Sequence, residues 1–179
     1  MLFRSMSLQG HVDIAWLDNW HKNLSYTLHD KPLSGFMLVD LDDYQRYNQP
    51  YINVEVCQDI GIGAEEFFTR QFNFLQFPKF SIQRLRPGMM LPMHSDRYGF
   101  FKTQCPETSI DSIIRVIVFL ENWQSGHISE VGQRPHTDYK AGFWMSWTGY
   151  TPHLAANLGH TDRYTLQITG IMNQKPLQL

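Results

Sequence analysis

From residue 80 onward, the apolar residues recur with a period of two, and β-branched and aromatic residues become frequent. This spacing is typical of β-strands, in which successive side chains point to opposite faces. Turn-forming pairs such as Pro87 with Gly88 separate the segments. The segments are residues 80–85, 113–120, 127–131, 143–147, 153–157 and 163–171. Six or more short strands without intervening helices predict an antiparallel sandwich or barrel.

The first eighty residues have a different spacing. Apolar side chains follow a helical period in two segments, residues 13–24 and 64–77, and residues 36–39 favour a strand. Such amphipathic helices pack their apolar stripe against a sheet. We therefore expect a mainly β chain with a helical cover, in which residues 1–79 form a helix-rich support and residues 80–171 form the β core.

Length and composition restrict the class of protein further. A chain of 179 residues suits a single domain, covering residues 1–179. The formal net charge of -2 gives no electrostatic reason to expect general nucleic-acid or membrane-surface binding. Two isolated cysteines, Cys57 and Cys105, and no apolar segment of about 20 residues predict a cytoplasmic protein without disulfides.

Histidine and aspartate occur two residues apart four times, beginning at His11, His94, His136 and His160. On a strand, residues two apart project from the same face, so His-x-Asp can supply two metal ligands. His94 with Asp96 is the leading pair, because it follows a strand and a Pro-Gly turn. About sixty residues of strand-rich chain then remain to deliver a third ligand.

The third ligand is sought among His127, His136, His153 and His160. If the turn at residues 157–162 forms a conventional hairpin, Arg163 lies opposite residue 156 and roughly 10 Å from His153. A five-carbon dicarboxylate bound to the metal could cover that distance. Arg163 could bind its far end with two hydrogen bonds, and Thr165, on the same face, could add a hydroxyl. His153 fits this arrangement, whereas His160 lies too close to Arg163.

The pattern of His94, Asp96, His153, Arg163 and Thr165 resembles the 2-oxoglutarate and iron(II)-dependent oxygenase superfamily, near its aspartyl/asparaginyl and prolyl hydroxylase-like branches. The resemblance spans about residues 80–171 and implies a double-stranded β-helix (jelly-roll) core. It also implies that the two histidines and the aspartate bind Fe²⁺, while the arginine binds the distal carboxylate of the cosubstrate 2-oxoglutarate.

The implied reaction consumes dioxygen and 2-oxoglutarate, releases succinate and CO₂, and hydroxylates a small-molecule or peptide substrate, such as an amino acid or a residue of a protein. Arg115 lies within an apolar strand and should have an anionic partner. That partner is the cosubstrate, the substrate or a structural carboxylate. Two alternatives stay open: a cupin-like metal enzyme that uses no keto acid, and a non-catalytic barrel that binds a metal or metabolite.

Overall fold

The computed structural model describes residues 7–32 and 51–172 and is built mainly of β-strands. The strand expected at residues 36–39 lies outside the described residues. Every strand pairing within them is antiparallel. The strands are β1 (Gln9–His11), β2 (Thr27–Pro32), β3 (Tyr51–Cys57), β4 (Leu75–Leu85), β5 (Met90–His94), β6 (Ile113–Phe119), β7 (His127–Val131), β8 (Arg134–Pro135), β9 (Phe143–Thr148), β10 (His153–Asn157) and β11 (Arg163–Met172). The prediction of a mainly β chain is confirmed.

The strands form one sheet that curls until its two halves face each other. The order along the sheet is β1-β9-β6-β11-β4-β3-β5-β10-β7-β8, with β2 attached to β3. β3 connects the halves, because it pairs with β4 and also, through Asn53, with β5. Side chains of β11 in one half and of β7 and β10 in the other line a common cavity.

The six segments with period-two spacing all contain strands, and β7 and β10 have the predicted bounds. Five further strands lie outside those segments: β1, β2, β3, β5 and β8. β1 and β8 are too short for alternation to be recognised. β5 contains Pro92, which lacks the backbone N–H of a ladder donor and weakens any prediction of a strand.

The helical cover is smaller than the sequence predicts. Residues 13–24 form two short 3₁₀ helices rather than one α-helix, Ala15–Leu17 and Trp20–Asn23. Asp18 and Asn19, between them, have left-handed backbone conformations (φ 34° and 58°), which interrupt a right-handed helix. The second expected helix, residues 64–77, is α1 (Ile62–Gln71). It ends at Gln71, earlier than expected, and the chain enters β4 at Leu75.

α1 covers the outer face of the sheet. Its Ala64 and Phe68 belong to a buried cluster with Val116 of β6 and Leu166 of β11. Complete burial of a side chain such as Phe68 contributes roughly 1.5–3 kcal/mol to folding. Because strand side chains alternate, packing Leu166 into this cluster turns its neighbours toward the inner cavity. Among the described residues, no helix has the length and apolar character needed to cross a membrane.

The expected hairpin between β10 and β11 is wrong. β10 pairs with β5 and β7, whereas β11 pairs with β4 and β6, so Arg163 lies opposite Leu85 and not residue 156. The connection crosses from one half of the sheet to the other. Asn157 holds this crossing in place: its amide donates to the carbonyls of Leu85 and Thr161, at 2.7 and 2.8 Å.

Candidate metal centre

Two histidines and one aspartate meet at one end of the cavity. His94 ends β5 and His153 begins β10, and the two residues are partners in the register of these strands. Their ring centroids are 4.3 Å apart. Asp96 follows two residues after His94, and one ligand atom from each of the three side chains lies within 4.8 Å of the others. The donor set, two imidazoles and a carboxylate, fits a divalent transition metal such as iron(II).

Backbone carbonyls fix the ring tautomers of both histidines. The Nδ1 atom of His94 lies 2.7 Å from the carbonyl oxygen of Pro92, and that of His153 lies 2.9 Å from the carbonyl oxygen of Thr151. A carbonyl can only accept, so each Nδ1 carries the proton. Each Nε2 therefore keeps the lone pair that a metal requires, in the arrangement typical of metal-binding histidines.

The protonation states of the three side chains also suit metal binding. Burial lowers the pKa of His153 to about 4 and lowers that of His94, so both rings are neutral at neutral pH. Burial by itself would raise the pKa of Asp96. The positive charge of Arg115, with smaller contributions from the two histidines, outweighs it and lowers that pKa. The aspartate is therefore ionised.

Arg115 binds Asp96 directly. Its Nε and Nη2 donate to the same carboxylate oxygen, Oδ2, at 3.0 and 2.6 Å. That oxygen also lies 3.7 Å from Nε2 of His153. The anionic partner of Arg115 within the described residues is thus the aspartate of the candidate metal centre.

The cavity beside these three side chains has a volume of about 220 Å³. Its walls are mainly apolar, with Leu91, Ile117, Met145 and Trp147 among them. Trp144 points the other way and packs on Phe72, as expected for two tryptophans an odd number of residues apart on one strand. Apolar walls lower the local polarity, which strengthens the electrostatic interactions of the charged groups beside them.

Arg163 lines the same cavity and is only 3% exposed. Its Nη2 donates to the hydroxyl of Ser129 on the facing half of the sheet, and its guanidinium lies 5.6 Å from the ring of Phe119. Its Nε has no hydrogen-bond partner in the described part of the chain. No acidic side chain of residues 7–32 or 51–172 forms an ion pair with it.

The lack of an acidic partner for Arg163 among the described residues has an electrostatic consequence. Burial lowers the pKa of Arg163, although an arginine stays protonated at neutral pH. Because Arg115 already balances Asp96, no acidic side chain of the described residues compensates the charge of Arg163 inside this mostly apolar cavity. A buried charge without a partner is costly, so an anionic ligand is strongly favoured at this place.

Thr165 and Gln167 follow Arg163 at alternate positions on β11, and both line the cavity. Thr165 is buried beside Gln83, its partner on β4. The amide of Gln83 lies 2.6 Å from that of Gln167. This polar row forms one wall between Arg163 and the candidate metal centre.

The rejected His-x-Asp pairs lie elsewhere, because His11, His136 and His160 are not among the residues that line the cavity. His160 is exposed in the crossing loop. His127 is buried, and its Nε2 lies 3.1 Å from the carbonyl oxygen of Thr161, where it supports that loop.

Sequence reasoning overlooked four polar residues that line the cavity: His29, Gln83, Ser129 and Gln167. The period of two on β11 gives a signal for Gln167, which lies two positions after Thr165. No local signal identifies Ser129, because it contacts Arg163 across 34 residues of sequence.

No family model matches the sequence, and no curated protein matches it. Solved structures with a similar fold include an oxidoreductase of the 2OG-Fe(II) oxygenase family from Burkholderia pseudomallei. It has 14% sequence identity and a TM-score of 0.52, over 91% of this chain and 82% of that one. A prolyl-4-hydroxylase from Pseudomonas putida has 12% identity and a TM-score of 0.49, over 83% of this chain and 94% of that one. A protein described as a predicted oxalate decarboxylase from Thermotoga maritima has 13% identity and a TM-score of 0.48, over 84% and 96%. At such identities the first similarity concerns the fold alone, and the other two carry no further weight.

Proposed function

We propose that this chain is a 2-oxoglutarate-dependent, non-haem iron(II) oxygenase. In this proposal it hydroxylates an amino acid or a residue of a peptide or protein, and it releases succinate and CO₂. One observation carries the proposal: the buried charge of Arg163, which has no acidic partner among the described residues, shares a small cavity with a cluster of two histidines and one aspartate. Together they suit a ligand that combines a metal-chelating end with a distal carboxylate.

His94, Asp96 and His153 would hold the iron. Together with 2-oxoglutarate and dioxygen, bound iron(II) would supply the oxidising chemistry. The residues of the chain bind, orient and shield the reactants. Two of them, His94 and His153, would bind the metal through Nε2, because backbone carbonyls hold their Nδ1 protons.

Arg163 would bind the distal carboxylate, together with Ser129 and the hydroxyl of Thr165. The register gives the distance. Ser129 pairs with Ala155, which lies two residues after His153, so Ser129 is displaced from the metal centre by roughly 7 Å along the strands. A five-carbon dicarboxylate can cover that length. The distance follows from the pairing of β7 with β10 and not from a hairpin between β10 and β11.

The lining of the cavity also favours chemistry supplied by bound reactants. Apart from the three candidate ligands and Arg163, the one ionisable side chain among its described lining residues is His29. The cavity therefore offers few groups for general acid–base catalysis. A bound metal and a redox-active cosubstrate would supply what these side chains lack.

The proposal includes a structural assignment. The two facing halves of the curled sheet correspond to a double-stranded β-helix, and the chain is a single domain with a helical segment on its outer face. The substrate would reach the metal through the same cavity, whose lining also includes His29 and Ile52.

Succinate formation tests the function directly. Purified chain is loaded anaerobically with iron(II), given 2-oxoglutarate and then exposed to oxygen, and succinate is quantified. We expect iron-dependent succinate above that of a His94→Ala control. A cupin-like enzyme without a keto acid would give neither succinate nor measurable binding of 2-oxoglutarate, and a non-catalytic barrel would give no succinate even where it binds 2-oxoglutarate; either outcome would contradict the proposal.

A further inference from the structure

The guanidinium of Arg115 is held on several sides. The residue is 7% exposed, and its two bonds to Oδ2 of Asp96 occupy one edge of the group. The ring of Tyr98 faces the guanidinium at 5.5 Å. With its amide oxygen turned toward Arg115, Gln167 accepts a hydrogen bond from Nη2 at 3.3 Å. The arginine therefore has little room to move.

The contact with Arg115 acts on the carboxylate of Asp96, whose orientation is otherwise weakly restricted. Rotation about the last bond of an aspartate side chain is broad, so a carboxylate that follows a strand has no strongly preferred plane. A metal needs the carboxylate lone pair directed at the same point as Nε2 of His94 and Nε2 of His153. Two guanidinium donors on the same oxygen, Oδ2, hold that oxygen in place and so restrict rotation of the carboxylate.

We infer that Arg115 is a positioning residue for the candidate metal centre: it orients the carboxylate of Asp96 so that the three donors are arranged before a metal binds. Tyr98 and Gln167 in turn hold the guanidinium. The inference rests on the metal-binding part of the proposed function and is independent of the cosubstrate and the reaction.

A second effect of Arg115 has the opposite sign. A fixed positive charge beside the aspartate repels an incoming divalent cation, so its removal would strengthen metal binding if charge alone mattered. Orientation predicts the reverse. Removing a group that orients a metal-binding side chain typically weakens metal affinity about 10- to 100-fold. The direction of the change therefore separates a positioning residue from a simple counter-charge.

The test measures binding of Co²⁺ to the full-length, metal-free chain by calorimetry, without 2-oxoglutarate or oxygen. For Arg115→Gln we expect affinity to fall about 10- to 100-fold. Arg115→Lys keeps the charge but loses the planar pair of donors, so it should also bind Co²⁺ more weakly than the unmodified chain. Equal or tighter binding by Arg115→Gln would overturn the inference.

Arg163→Gln is the matched control. It removes one buried positive charge from the same region, but Arg163 has no hydrogen bond or ion pair to Asp96 among the described contacts. We expect its affinity for Co²⁺ to be unchanged or slightly increased. A loss equal to that of Arg115→Gln would show that both variants act through general damage to the cavity and would overturn the inference.

The visible absorption of bound Co²⁺ provides a readout that mere stability would not change. At saturating cobalt, Arg115→Gln should show shifted bands, because the carboxylate approaches the metal in another orientation. If this variant fails to fold, Arg115→Lys and Gln167→Leu carry the test, with a smaller loss for the latter. Unchanged affinity and spectra in both would refute the positioning role.

The two proposals can fail separately. A chain that binds Co²⁺ with the expected dependence on Arg115 but forms no succinate would contradict only the proposed function. A chain that forms succinate, and whose Arg115→Gln variant binds Co²⁺ as tightly as the original, would contradict only the inference about Arg115.

Discussion

Replacing Arg163 with leucine tests the feature on which the proposed function depends. In a cosubstrate complex the guanidinium would form a buried, charge-assisted pair with a carboxylate. Removing one partner of such a pair costs about 2–5 kcal/mol, because the other charge stays buried and unpaired. At about 1.4 kcal/mol per tenfold change, affinity for 2-oxoglutarate should fall roughly 30- to 4,000-fold.

Calorimetry on anaerobic protein loaded with Mn²⁺ measures this affinity without turnover. Metal affinity should be retained, because Arg163 has no contact with His94, Asp96 or His153 among its described bonds. Arg86→Leu is the matched control. Arg86 is paired with Glu55 on the sheet and lies outside the cavity lining, so 2-oxoglutarate affinity should stay within about twofold.

Thermal unfolding distinguishes this role of Arg163 from a structural one. The described residues give Arg163 no acidic partner, so Arg163→Leu leaves no carboxylate stranded and removes a costly buried charge. The metal-free variant should be as stable as the original chain, or more stable. Marked destabilisation together with unchanged 2-oxoglutarate affinity would refute the reasoning and make Arg163 a structural residue.

Two further predictions follow from the geometry. His153→Ala should abolish measurable Co²⁺ binding, whereas His160→Ala should leave it intact, since His160 lies in the exposed crossing loop. If calorimetry instead shows that His160→Ala loses Co²⁺ binding and His153→Ala keeps it, His153 is not the metal ligand. Burial would raise the pKa of Glu55, but hydrogen bonds and ion pairs with Arg84 and Arg86 outweigh it and lower that pKa below its ordinary value of 4.5. The stability that Glu55 contributes is therefore present above about pH 4.5 and is lost as the pH falls through the lowered pKa. The stability of Glu55→Gln is measured by chemical unfolding between about pH 3 and 7, a range that includes the ordinary pKa of a carboxyl group. This variant should be less stable than the original chain at neutral pH and should lose less stability in acid. An identical pH dependence of the two proteins would count against this role.

The sequence predicts those parts of the structure that depend on local spacing. Alternation places Arg163 and Thr165 on one face of β11, and the structure places Gln167 there too. The same rule puts His94 and Asp96 on one side of the chain. Each of these predictions depends only on a spacing of two residues along the chain, so no knowledge of the remaining fold is needed.

Contacts between distant segments could not be predicted in the same way. After β10 the chain can either turn back, so that β11 pairs with β10 as a hairpin, or cross to the other half of the sheet. The turn residues alone favour the hairpin. Arg115 and Asp96 meet because loops bring the end of β5 over β6, and Ser129 meets Arg163 because the halves of the sheet face each other. Only the complete pairing order determines these contacts.

The distribution of charge in the cavity gives a reason for the orientation of the proposed cosubstrate. At one end, Arg115 balances the charge of Asp96, so that end acquires a net positive charge only when a divalent metal binds. At the other end, Arg163 is positive at all times. Between them, apolar side chains such as Ile117 and Met145 disfavour a carboxylate. A dianion whose carboxylates are separated by a short chain would therefore have one favourable position for each charge. Because a single keto group marks the chelating end, a distal carboxylate bound at Arg163 would direct that keto group toward His94 and His153.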